Sequence, residues 1–165
     1  MNLDSFYNKL WSIKESIKDD IKSIGDYLQY ATPMVFIIYS ACFLDNHVSR
    51  VFVCAFAVAM IIMSLLKALF NAPRPREIEG TDNPDFDLDW SPDDGNSWPS
   101  GHTMSAMMGG VFWFQINEWI GLLGITLGLF TGLSRIIAKA HWLRDVLTST
   151  VISVAIYVIC VLYFL

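Results

Sequence analysis

The chain has little charge. Asp, Glu, Lys and Arg make up 16% of its 165 residues, and long tracts hold none. Tyr27–Leu44, Val51–Leu66, Thr103–Asn117, Trp119–Ser134 and Val146–Leu165 contain no Asp, Glu, Lys or Arg. Each runs about 15–20 residues, close to the roughly 20 that a helix needs to cross hydrocarbon. With 54% hydrophobic residues and a mean hydropathy of +0.44, too few polar segments remain to wrap five such helices in a soluble domain. Positive charge is also scarce, at 11 basic against 16 acidic residues. No basic stripe exists, which argues against nucleic acid as a partner. The three cysteines, Cys42, Cys54 and Cys160, all fall inside apolar tracts. They lack metal-ligand spacing and read as small core or lipid-facing residues. There is no internal repeat, no low-complexity region and no transporter-like symmetry. No cleavable signal peptide is visible, so the first span is expected to serve as the insertion signal.

What is present divides into one N-terminal segment, five apolar spans and one loop, read as a single domain over residues 1–165. In residues 1–26, Leu3, Phe6, Leu10, Ile17, Ile21 and Ile24 recur at helical spacing, with lysines and acids on the remaining surface. That pattern predicts an amphipathic helix in the membrane interface. The spans are expected at about 27–44, 49–70, 101–117, 119–138 and 143–165. The second should break near Asn71-Ala72-Pro73. Residues 71–98 form the one substantial loop, and eight of the acids lie between Glu77 and Asp94. Those acids would repel a second phosphate, bind a cation or keep the loop solvated. Ser100 is placed to cap the third span. Gly121, Gly124, Gly128 and Gly132, with Ser105 and Gly109, put small residues where helices pack closely in lipid. Trp98, Trp119 and Trp142 sit at span ends, as interfacial belts do. The expected fold is all-α, an integral membrane bundle of about five transmembrane helices plus the N-terminal amphipathic one.

Ionisable residues gather at the ends of these spans, where they are costly and invite a functional reading. Counting spans alternately across the membrane puts Lys67, Arg74, His102, Arg135 and His141 at one face. Lys67, Arg74 and Arg135 supply three cations, and an arginine fork matches phosphate oxygens. The amides near Ser100-Gly101-His102 open a helix, which favours an anion. His141 and Asp145 are four residues apart and would share a helical face. A carboxylate on one ring nitrogen makes the other a better nucleophile or base. His102 is placed to give a proton to a leaving oxygen. Spacing alone leaves open which histidine attacks. His47, in the opposite loop, reads as an ordinary polar residue.

Lys67-x6-Arg74-Pro75, Pro99-Ser100-Gly101-His102 and Ser134-Arg135-x5-His141-x3-Asp145 resemble the three-part signature of the type-2 phosphatidic acid phosphatase superfamily. That superfamily also includes vanadium haloperoxidases. The resemblance implies a metal-independent phosphatase without a cofactor, working through a phosphohistidine on His141. Asp145 would orient His141, and His102 would protonate the leaving group and then activate water. Lys67, Arg74, Ser100, Gly101 and Arg135 would hold the phosphoryl oxygens. The implied substrate is a membrane lipid phosphate: undecaprenyl diphosphate, phosphatidylglycerol phosphate, phosphatidic acid or lipid A phosphate. A lipid-to-lipid phosphotransferase is the alternative, and vanadate-dependent peroxidase chemistry and a nonenzymatic channel or transporter are remoter ones. Membrane members of the superfamily commonly have six spans, so the amphipathic segment is a candidate substitute for the missing one. The surplus of Lys and Arg on the active face would make it cytoplasmic by the positive-inside rule. The resemblance instead implies a bacterial cytoplasmic membrane protein with its active site facing outward.

Overall fold

The computed structural model describes the backbone of residues 3–70, 72–75 and 96–165, with side chains from residue 14 onward. The acidic stretch between Glu77 and Asp94 lies outside the described residues. Among the described residues five α-helices follow one another: α1 (Leu3–Phe43), α2 (Asn46–Phe70), α3 (Gly101–Phe112), α4 (Glu118–Ile137) and α5 (Leu143–Tyr163). A 3-10 turn at Trp113–Gln115 closes α3. The fold is an all-α helical bundle, with its helices where the charge-free tracts put them.

Three of the five, α2, α4 and α5, are long and apolar enough by themselves to cross a membrane. Only 17% of the apolar window of α2 is buried within the bundle. Val53, Val58, Ile61, Leu65 and Leu69 stay exposed on it, a surface suited to lipid rather than water. α3 is different. It is 12 residues long, about 18 Å, and it packs against all four other helices. Nine of its residues, from Thr103 to Phe112, are buried. It is the axis of the bundle, which explains why its tract is apolar all round.

Residues 1–26 do not form a separate helix. α1 runs unbroken for 41 residues, about 60 Å, so the amphipathic segment continues directly into the first apolar one. No proline stands at the junction, and the one glycine there, Gly25, stays within the helix. The proline that does lie within α1, Pro33, is made good from outside. Proline has no amide to donate to the carbonyl four residues earlier, here that of Gln29. The Ser105 hydroxyl of α3 donates to that carbonyl at 2.6 Å. Thr32 Oγ1 donates to Ala106 O at 3.0 Å, and Trp113 Nε1 donates to Thr32 O at 3.1 Å. In lipid a freed backbone group must be satisfied by a neighbouring helix, and α3 does this for α1.

Close approach is the second cement. A Cβ on Gly109 would stand 2.4 Å from the Pro33 nitrogen, and one on Gly110 would stand 2.3 Å from the Gly124 carbonyl oxygen. Backbone therefore meets backbone along α1–α3 and α3–α4, the contact that small residues permit. Away from these seams the core is aromatic. Phe36, Phe52 and Phe112 form a triangle with ring centroids 4.8, 5.1 and 5.7 Å apart.

Ser105→Ala is expected to lower the melting temperature in detergent, because it strands the Gln29 carbonyl at a cost of about 1–3 kcal/mol. Adding Pro33→Ala restores an amide to that carbonyl and should recover most of the loss. An uncorrected double variant would show that Ser105 acts in some other way.

Candidate active site

The site is built at the start of α5. Trp142 is the N-cap residue, and its amide donates to Asp145 Oδ2 at 2.9 Å. The Ser97 hydroxyl donates to the same oxygen. Asp145 is fully buried and His141 nearly so. His141 Nδ1 lies 3.5 Å from Asp145 Oδ2, which leaves Nε2 as the ring nitrogen turned from the carboxylate. The pair does not share a helical face, since His141 stands before Leu143, the first residue of α5. The capping turn folds it back onto Asp145. Arg144 approaches Asp145 Oδ1 at 3.5 Å from an exposed position and lies over the Trp142 ring.

The start of α3 hangs on this turn. Ser100 caps α3, its Oγ accepting from Thr103 N at 3.4 Å and from Thr103 Oγ1 at 2.9 Å. Its own amide donates to the Asp145 carbonyl at 3.3 Å. Ser149 Oγ donates to the Ser100 carbonyl at 2.8 Å and the Asp145 carbonyl at 2.9 Å. Packing leaves Gly101 open, since a Cβ there would meet only the Met63 side chain, at 3.7 Å.

The end of α2 closes a second side. Lys67 Nζ donates to the Asn96 carbonyl at 2.6 Å, and the Ser97 amide donates to the Ala72 carbonyl at 2.8 Å. Trp142 Nε1 donates to the Pro73 carbonyl at 2.9 Å, and Trp98 Nε1 donates to Thr148 Oγ1 at 3.0 Å. Two of the three interfacial tryptophans thus clamp the loop ends beside the site, whereas Trp119 is exposed. Arg74 is buried. His141 is pushed down to about 4 by burial, with the charges of Arg74 and Lys67 acting the same way and Asp145 opposing them. At neutral pH its imidazole is uncharged, with a lone pair to give.

Arg135 completes a third side, and here the structure shows a residue that sequence reasoning missed. Asp26 Oδ1 on α1 accepts from Arg135 NH1 at 2.5 Å. It also lies 3.2 Å from His102 Nε2. Arg135 NH2 donates to the Lys22 carbonyl at 2.7 Å, and Arg135 Nε donates to Ser134 Oγ at 3.2 Å. Gly25 allows this approach, because a Cβ there would collide with Ser134 Oγ at 1.9 Å. In the sequence Asp26 is one more acid on an amphipathic helix, and only its place just before the tract Tyr27–Leu44 sets it apart. The backbone carries Arg135 to His141: the amides of Ala140 and His141 donate to the Arg135 carbonyl at 3.0 and 3.4 Å. Lys139 makes that turn with a positive φ of 53°.

The eight residues singled out from sequence therefore converge on the joined starts of α3 and α5. The six ionisable ones fall into two electrostatic groups, His141–Asp145–Arg74–Lys67 and His102–Arg135, the latter with Asp26. His47 is elsewhere, its Nε2 bonded to the Phe164 carbonyl at 2.7 Å.

A helical membrane bundle that gathers cations, two histidines and a buried carboxylate at one end defines the class. Residues 49–165 match the family model described as the PAP2 superfamily, and the chain belongs to that superfamily. Over 65 residues, 37% of this chain, it is 34% identical to the "Lipid A 1-phosphatase" of Porphyromonas gingivalis. That match spans 15% of the relative's length. No solved structure matches the chain.

The lowered His141 value makes a prediction about pH. The unfolded chain takes up a proton near 6.5 and the folded chain near 4, so the native state is penalised as pH falls through that window. Wild type should lose thermal stability from pH 6.5 to 4 more steeply than His141→Gln, which does not titrate. Parallel profiles would mean that His141 is not held neutral by its surroundings.

Proposed function

We propose that this protein is an integral membrane phosphatase that releases phosphate from a lipid through a phosphohistidine on His141. One observation carries the lipid part. An apolar groove of about 680 Å³ runs between α1 and α2, lined by Pro33, Met34, Ile37, Phe56 and Met60 among others, and it ends at Gly101 and His102. A ligand there has an apolar chain along the groove and a polar head at the histidines, which is the anatomy of a lipid phosphate.

In this reading the head group rests among Lys67, Arg74, Arg135 and the helix start at Gly101, where packing leaves room. Arginine forks suit its oxygens, and the α3 N-terminus suits its charge. The Nε2 lone pair of His141 forms a bond to phosphorus as the bond to the lipid oxygen breaks. Asp145 steadies the imidazolium that results. His102 gives its proton to the departing oxygen, then takes one from water as water attacks phosphorus. The P–N electron pair returns to His141, and phosphate leaves. No step needs a metal. The active face is proposed to be the outer side of a bacterial cytoplasmic membrane.

Purified enzyme with a panel of lipid phosphates, including a lipid A 1-phosphate and undecaprenyl diphosphate, tests the reading. Phosphate release should persist in EDTA and should fall roughly a thousandfold or more in His141→Ala. Retained turnover in that variant would rule out the assigned nucleophile. Loss of all release in EDTA would rule out the metal-free route. Transfer of the phosphoryl group to a second lipid in place of water would favour the phosphotransferase alternative.

The groove makes its own prediction. Met60→Trp should fill it and raise KM for long-chain lipid phosphates, while a short-chain phosphate ester is handled as before. Equal effects on both would separate the groove from the substrate path.

A further inference from the structure

We infer that Asp26 is a positioning residue for His102: its carboxylate accepts the Nε2–H of the imidazole and so commits Nδ1 to the leaving oxygen. The inference rests on the proposed phosphatase reading and adds to it a residue from α1, outside the part of the chain that matches the family.

The geometry is specific. Asp26 Oδ1 stands 3.2 Å from His102 Nε2 and 2.5 Å from Arg135 NH1. One oxygen thus couples the histidine of α3 to the arginine of α4. The position is enforced by backbone. Gly25 brings α1 against Ser134 with no room for a side chain, the Lys22 carbonyl holds Arg135 NH2, and Ser105 ties α1 to α3 one turn further on. The Asp26 side chain is 39% exposed, yet groups from both neighbouring helices hold its carboxylate.

The chemistry follows from which nitrogen is taken. With Nε2–H given to Asp26, the proton that reaches the leaving oxygen must come from Nδ1 of a doubly protonated ring. When the P–O bond breaks, its electron pair goes to the lipid oxygen, which takes the Nδ1 proton. His102 is left neutral, with Nε2–H still on Asp26 and an Nδ1 lone pair facing the site. That lone pair then accepts a proton from the attacking water.

Asp26 is itself charged. Burial works to raise its pKa, but the His102 bond and the nearby Arg135 outweigh it and hold the carboxyl below its ordinary value. Arg135 of α4 is the other charged group on this carboxylate, and the Lys22 carbonyl of α1 holds that arginine in place. α2 faces this end with Met60 and Met63 beside Gly101 and His102. Lys67, Arg74, His141 and Asp145 make up the other electrostatic group.

Asp26→Asn tests the inference, since the amide oxygen still accepts from Arg135 and His102 while the charge is gone. On a lipid phosphate, whose alkoxide needs a proton to depart, kcat should fall roughly a hundredfold with KM little changed. On p-nitrophenyl phosphate, whose leaving group departs without one, the loss should be small. In a His102→Ala background the same substitution should cost nothing further. Equal losses on both substrates would make Asp26 a structural anchor only and overturn the inference. Should Asp26→Asn fail to fold, Asp26→Glu keeps the charge for Arg135 and displaces the carboxylate from His102, and the same substrate contrast decides. A wild-type protein that releases no phosphate from any substrate overturns the phosphatase reading itself, and this inference with it.

Discussion

The carboxylate of Asp145 is the fixed point on which the rest of the site depends. It is fully buried, and a buried carboxylate is costly unless it is bonded; here the hydrogen bonds fall on Oδ2, while buried Oδ1 has only Arg144 at 3.5 Å. Ser97 brings the end of the long loop to it, Trp142 brings the start of α5, and His141 stands beside it. The backbone of the same residue receives the amide of Ser100, the cap of α3. Three segments far apart in sequence are thus held to one residue. The bonds that hold this charge are also the bonds that assemble the site.

The bilayer sets the terms for everything around that point. Apolar side chains gain little from facing each other when lipid is the alternative, so the bundle is held by what lipid cannot offer. Backbone approach at Gly109, Gly110 and Gly124 is one such contact, and hydroxyl donors to main-chain carbonyls are another. Ser105, Thr32 and Ser149 all sit at helix seams rather than at caps. α3, 12 residues long, is enclosed by the other four described helices and carries Ser100 and His102 at its open end. A short central helix places its N-terminus within the bundle, where the amides and the histidine meet groups from every neighbour.

Much of this was legible in the sequence. The charge-free tracts marked the helices, and alternate counting placed Lys67, Arg74, His102, Arg135 and His141 at one end. The spacing of Pro99-Ser100-Gly101-His102 marked a capped helix start, and Ser100 does cap α3. What escaped has physical reasons. Asp26 looked like its neighbours because its role lies in a contact across 109 positions of sequence to Arg135, which no local pattern records. Ser97 was hidden for the same reason, its partner being 48 residues on. The continuity of α1 was obscured because amphipathicity ends near residue 26 while the helix does not. The pairing of His141 with Asp145 was expected from helical spacing, and it arises instead from the turn before α5. Spacing tells which side chains are near, and the cap geometry tells how they meet.

The central claim is that His141 takes the phosphoryl group. Everything said of the site turns on this: the neutral imidazole, the free Nε2, the cations around it and the acid on the other side. Rapid quenching of the enzyme during turnover of a lipid carrying a ³²P-labelled phosphate tests it directly. The account predicts an acid-labile, alkali-stable label on the peptide that contains His141, absent from His141→Gln. Label on another residue, or steady turnover with no covalent label at any quench time, would contradict it.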